Sequence, residues 1–143
     1  MVSKSALENP GTTAVDFEYV QLKCTNLTYL KARTKSNLGL MQEMISLYLE
    51  QTPPLLLAMK QGLADEDWDS LAAAAHKMIP SFSIVGINQE FETMAKKIQE
   101  YARNQQETDK IQNLILQIEN VCTQACTELE SELNKYNLLL DER

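Results

Sequence analysis

Apolar residues recur at helical spacing through four long stretches of this chain, and that period limits the fold more than any other feature. In one stretch it runs through Leu40, Met41, Met44, Ile45, Leu47, Tyr48 and Leu49. In another it takes in Phe91, Met94, Ala95, Ile98, Tyr101 and Ala102. The last and longest carries Ile111, Leu114, Ile115, Ile118, Val121, Cys122, Ala125, Leu129 and Leu133. Between them, residues from about 67 to 85 place Leu71, Ala74, Met78, Phe82 and Val85 on one stripe, with Ala75 at its edge. A stripe at i, i+3, i+4 and i+7 is the buried face of an amphipathic helix, whereas a strand would alternate with period two.

Capping signals punctuate the stretches. Asn26 suits the start of a short helix with Leu27, Leu30 and Ala32, and Ser36 or Asn37 the start of the next. Pro53-Pro54 predicts an interruption followed by a kinked continuation, and Gly62 is placed as its C-terminal cap. Asp65 or Asp67 suits the following start, Gly86 its stop, and Asn88 the next start. Asn104 to Glu107 make a polar turn, and Thr108 or Asp109 opens the last helix. Short connections favour antiparallel neighbours. The expected fold is therefore all-α: an antiparallel up-down four-helix bundle with a short additional N-terminal helix. Residues 1–14, aperiodic and containing Pro-Gly, read as a flexible tail, and 15–143 as the bundle domain. Phe17, Tyr19, Val20 and Leu22 form a short segment that could pack across the bundle.

About 28 regular residues from Asp109 predict a final rod of roughly 42 Å, against roughly 28 Å for the helix over 67–85. The final helix is expected to overhang the bundle by two turns or more, or else bend, with Leu138, Leu139 and Leu140 near the overhang.

Composition excludes several functions. With 143 residues and four glycines and four prolines, the chain fits one domain and not a turn-rich β fold. A net charge of −7 works against nucleic acid. Lys31, Arg33 and Lys35, and the Lys96–Lys97 pair, read as solvated faces. No apolar run approaches the ~18 residues that span a bilayer, and the N-terminus has no signal-like pattern, so the expected compartment is the cytoplasm without membrane insertion. Cys24, Cys122 and Cys126 are too few, and too far in sequence from the single histidine, for a metal site; Cys122 and Cys126 read as small core residues and Cys24 as inert.

That single histidine, His76, falls opposite the apolar stripe of its helix. Its wheel neighbours are Asp69, Ala72, Ala73, Pro80 and Ser83, with Lys77 and Ile79 flanking. Small neighbours leave room for another macromolecule to approach the imidazole, where a solvated face would ordinarily carry long charged side chains. Pro80 adds a second signal. It removes the amide that would bond the His76 carbonyl, at a cost of about 3 kcal/mol, and costly features gather at functional sites.

The run Ala75-His76-Lys77-Met78-Ile79-Pro80-Ser81-Phe82-Ser83-Ile84-Val85-Gly86 resembles the signature of histidine-containing phosphotransfer (HPt) domains, roughly Ala-His-Lys-x-Lys-Gly-Ser-x-x-x-hydrophobic-Gly. Asp67-Trp68-Asp69-Ser70-Leu71, Ser46 to Pro53 and Asn26-Leu27-Thr28-Tyr29-Leu30 resemble flanking parts of the same family. The resemblance covers about residues 24 to 105, and the last helix matches in length and period alone. It implies that His76 is the phospho-accepting residue, that Lys77 helps hold the phosphoryl oxygens, and that Gly86 is the closing glycine. The sequence departs from the pattern at Ile79, where Lys or Arg is usual, and at Pro80, where Gly is usual. Lys77 alone, or Lys96 or Lys97 from another helix, would then balance the phosphoryl charge.

The resemblance further implies a phosphocarrier without kinase activity of its own. Its partners would be the receiver domain of a response regulator and an upstream (hybrid) histidine kinase. The receiver would bring the acidic pocket and Mg²⁺, so the chain itself needs no metal or cofactor. Three other functions compete. One is a non-phosphorylated HPt-like module that docks receivers or other helical partners, and another is a purely structural helical interaction domain. The third is an enzyme using His76 as general base, which would need a concave pocket and a second polar group beside the ring.

Overall fold

The computed structural model describes residues 23–141. Among them lie five helices and no strand: α1 (Thr28–Thr34), α2 (Leu38–Ala64), α3 (Trp68–Val85), α4 (Gln89–Asn104) and α5 (Thr108–Asp141). The tail over 1–14 and the segment around Phe17 to Leu22 lie outside the described residues. Each long helix packs on the one before and after it, and α5 closes the ring on α2, so α2 to α5 form the up-down bundle. The short α1 lies against α2 and α3.

The caps follow the sequence closely. Asn37, Asp67 and Asn88 accept backbone N–H groups from Leu40, Ser70 and Glu90 at the starts of α2, α3 and α4. The Asn26 side chain accepts from the Thr28 amide at 2.9 Å. Each satisfies one of the donors that a helix start leaves unpaired.

Two expectations about α2 fail. It does not break at Pro53-Pro54 but continues as one helix of 27 residues. Burial of Tyr48 and Thr52 before the prolines and of Met59 after them holds both halves against the same core. Nor is Gly62 a cap. It lies inside α2, buried, where an added Cβ would come 3.1 Å from the backbone nitrogen and Cβ of Leu71. A glycine there lets α2 and α3 approach closely. The helix ends two residues later, and the Asp67 amide donates to the Gly62 carbonyl at 2.8 Å.

The last helix is longer than its pattern suggested, 34 residues or about 51 Å, against about 27 Å for the 18 residues of α3. It exceeds α3 and α4, but the long α2 runs beside it. Lys60, near the end of α2, pairs with Glu119 about three turns into α5, and Gln42, near the start of α2, bonds Asn137 near the end of α5. Tyr136 is consequently buried, while Leu138 and Leu139 remain exposed.

Residues 23–26 are fastened to this frame from two sides. The Glu128 carboxylate of α5 accepts the amides of Cys24 and Thr25 and the Thr25 hydroxyl, at 2.9, 3.0 and 2.6 Å. The Asn26 amide donates to the Val85 carbonyl at 3.0 Å. Gly86, the α3 C-cap, has φ +73°, a left-handed conformation that favours glycine. It also lies so close to Asn26 that a Cβ would meet the Asn26 carbonyl oxygen at 2.0 Å. The closing glycine thus ends α3 and seats the chain leading into α1.

Candidate functional site around His76

Eighteen residues of α3 run unbroken through Pro80. Leu71, Met78, Phe82 and Val85 are at most 1% exposed, whereas His76 and Lys77 are exposed. Of the expected neighbours of the imidazole, Asp69, Ala73, Pro80 and Ser83 share the open face. Ala72 does not: it is 4% exposed. The wheel assumes one core stripe, but α3 packs against α1, α2 and α4. Its buried arc is therefore wider than the stripe, and it takes in Ala72 and half of Ile79. The usual cation position is thus occupied by an apolar side chain packed against the core.

The sequence reading missed Gln99. Its Nε2 lies 3.3 Å from His76 Nδ1, and the glutamine is 9% exposed. Buried Ala75 on α3 and Ala95 and Ala102 on α4 are small enough to bring the two helices together beneath this contact. The signal was present in the α4 wheel, where Gln99 shares a face with Ala95, Ile98 and Ala102, a polar residue inside an apolar stripe.

The His76–Gln99 contact also fixes the antiparallel register. It sets Lys96 level with Ile79 and Arg103 level with Ala72, one turn to either side of Gln99. Lys96 is paired with Glu92 at 3.1 Å. Lys97 turns away, into a groove between α4 and α5 with Tyr101 and Asp109. Arg103, exposed, and Lys77 have no ion pair among the described residues.

No group of His, Cys, Asp or Glu that could hold a metal occurs among the described residues. The cysteines lie apart from His76. Burial, followed by the charge of Glu128, pushes the Cys24 thiol up to about 12, and burial pushes Cys122 up to about 11. Such thiols carry little thiolate at neutral pH and are poor nucleophiles and ligands.

The imidazole thus stands exposed on α3 with its Nδ1 beside the amide of a nearly buried glutamine. The Hpt domain family model matches residues 43–141. The chain belongs to the Hpt domain family. Hpt domains are phosphocarriers of two-component signalling and work with the partners of such relays. The match includes the whole of α5 and begins after α1, so it reaches further at the C-terminus and starts later than the motif resemblance did. Neither the curated proteins nor the solved structures gave a match. No helix among the described residues is long and apolar enough to cross a membrane.

Proposed function

We propose that His76 accepts a phosphoryl group from, and returns it to, the aspartate of a response-regulator receiver domain, in a cytoplasmic relay fed by a histidine kinase. The observation that carries this reading is the pairing of an exposed ring with a buried amide at Nδ1. Turned end for end, the Gln99 amide offers Oε1 to Nδ1–H, which fixes the tautomer whose Nε2 holds a free lone pair facing outward. In transfer, that lone pair attacks phosphorus and the aspartyl O–P bond breaks. The carboxylate leaves with the bonding electrons, and the ring keeps its Nδ1 proton. The phosphorylated ring gains positive charge, which Gln99 Oε1 stabilises. Positioning and charge stabilisation supply most of the catalysis in such a step. Lys77, next to His76, and Arg103, one turn beyond Gln99 on α4, have no ion pair among the described residues, and in this reading they take the role left vacant by Ile79.

The general-base alternative is less well supported: Gln99 supplies the second polar group it needs, but His76 lines none of the main grooves among the described residues. The test is transfer from a receiver domain phosphorylated with acetyl phosphate. The wild-type chain should take up label and His76→Gln none, with the helical circular dichroism unchanged. Binding of the receiver with no label passing to the chain would instead support the non-phosphorylated docking module.

A further inference from the structure

The stretch from Lys23 to Gln42 carries Lys23, Lys31, Arg33 and Lys35 and no aspartate or glutamate. The chain as a whole has net charge −7, so the rest carries −7 − 4 = −11. α1 lies within this basic stretch, ahead of the region matched by the family. Between α1, α2 and α3 opens a groove lined in part by Tyr29, Arg33, Leu40, Met44, Pro80 and Ser83. Tyr29 and Leu40 are 48% and 42% exposed. The Arg33 guanidinium is held over the Tyr29 ring, 5.9 Å from its centroid, so a cation stands at the mouth of an apolar groove. Pro80 is one helical turn beyond His76, so the groove begins about 6 Å along the axis from the imidazole. Glu92 borders the far side of Tyr29, and Lys96 already neutralises it.

We propose that α1 selects the partner: Lys31 and Arg33 steer in receiver domains whose surface around the phosphoaspartate is acidic, and the groove seats an apolar edge of the same domain. The proposal rests on the phosphocarrier reading for the occupant. A domain that holds an aspartyl phosphate with a divalent cation gathers carboxylates at that site. Such a surface is repelled by most of this acidic chain and attracted by the stretch beside His76. Complementary fields raise the rate of encounter and reject like-charged partners more than they deepen final affinity.

The experiment uses a panel of receiver domains graded by net charge around the acceptor aspartate and phosphorylated with acetyl phosphate. Wild-type kcat/KM should rise with receiver acidity and fall with salt. In Lys31→Glu/Arg33→Glu it should drop about tenfold or more for the acidic receivers at low ionic strength, converging with wild type at high salt. The single-turnover rate at saturating receiver should not change, because neither residue touches the ring. Lys31→Gln/Arg33→Gln, with a milder change of charge, should give an intermediate loss, and circular dichroism checks that both variants fold. A double reversal that leaves kcat/KM unaltered across the panel, or a wild type indifferent to receiver charge, overturns the proposal and leaves the carrier reading intact. If His76 takes no phosphate from any receiver, the carrier reading fails, and fluorescence anisotropy with the unphosphorylated domains decides the docking. Salt-sensitive binding lost in the double reversal upholds it, and binding indifferent to the reversal, or absent, overturns it.

Discussion

Replacing Gly86 with alanine should unseat α1 and cost a large part of the stability. At φ +73° any L side chain pays about 1–2 kcal/mol for the left-handed conformation. The new Cβ would also lie 2.0 Å from the Asn26 carbonyl oxygen and 2.7 Å from the Asn26 nitrogen and carbonyl carbon. These are backbone atoms with no rotamer to retreat into, so residues 23–27 must lift away. Lifting breaks the Asn26 N–H bond to the Val85 carbonyl, worth about 0.5–1.5 kcal/mol. It also exposes part of Leu30, which is 2% exposed and whose full burial is worth about 1.5–3 kcal/mol. The expected loss is about 3–5 kcal/mol, or roughly 10–20 °C in Tm for a domain of this size. Thermal unfolding followed by circular dichroism measures it. Gly86→Asn separates the two causes, because asparagine tolerates the left-handed region but still carries a Cβ. It should recover about 1 kcal/mol and no more. A Gly86→Asn variant as stable as wild type would mean that the close approach of Asn26 does not exist.

Three further outcomes follow from the same geometry. Pro80→Ala should raise stability by about 1–2 kcal/mol in urea unfolding, since it returns an amide to the His76 carbonyl within an unbroken helix; a loss would show that the ring packs favourably in the groove beside α1. Glu128 is pushed up by burial, but the hydrogen bonds from Thr25, the Cys24 amide and Gln124 outweigh this and hold its carboxyl below the ordinary value of 4.5. Its folded pKa lies below its unfolded one, so its stabilisation is complete above about 4.5 and lost as pH falls through the folded value. Glu128→Gln should therefore unfold at lower urea than wild type at pH 7, and the gap should close on acidification; an equal gap at both pH values would rule out a charged Glu128 as the fastener. Gln99→Leu should slow phosphoryl transfer about tenfold with KM nearly unchanged, because it frees the ring tautomer without altering the docking face, and an unchanged single-turnover rate would remove Gln99 from the mechanism.

The fold was legible because period and caps agree along the chain. Asn37, Asp67, Asn88 and Gly86 stand where the local chemistry needs them, and the α3 stripe from Leu71 to Val85 is buried as its spacing requires. What failed depends on neighbours that one helix cannot specify. Pro53-Pro54 reads as a break until Met59 and Tyr48 are seen sharing a core, and Gly62 reads as a stop until Leu71 is placed against it. The site was legible in part. His76 declared itself by standing opposite the stripe, but Gln99 lies 23 residues further on, and its approach depends on how α3 and α4 pack. Lys96 and Lys97 looked equivalent in sequence. The fold separates them, turning Lys97 toward α5 and pairing Lys96 with Glu92.

The central claim is that the outward Nε2 of His76 carries the phosphoryl group while Nδ1 stays with Gln99. The most direct test is to label the protein from a phosphorylated receiver domain, map the label by mass spectrometry, and determine the ring isomer by phosphorus NMR. The account predicts one acid-labile, base-stable phosphate, on His76 and bonded through Nε2. Phosphate on Nδ1 would contradict the role given to Gln99. A base-labile acyl phosphate on an aspartate or glutamate, with His76 unmodified, would contradict the carrier mechanism itself.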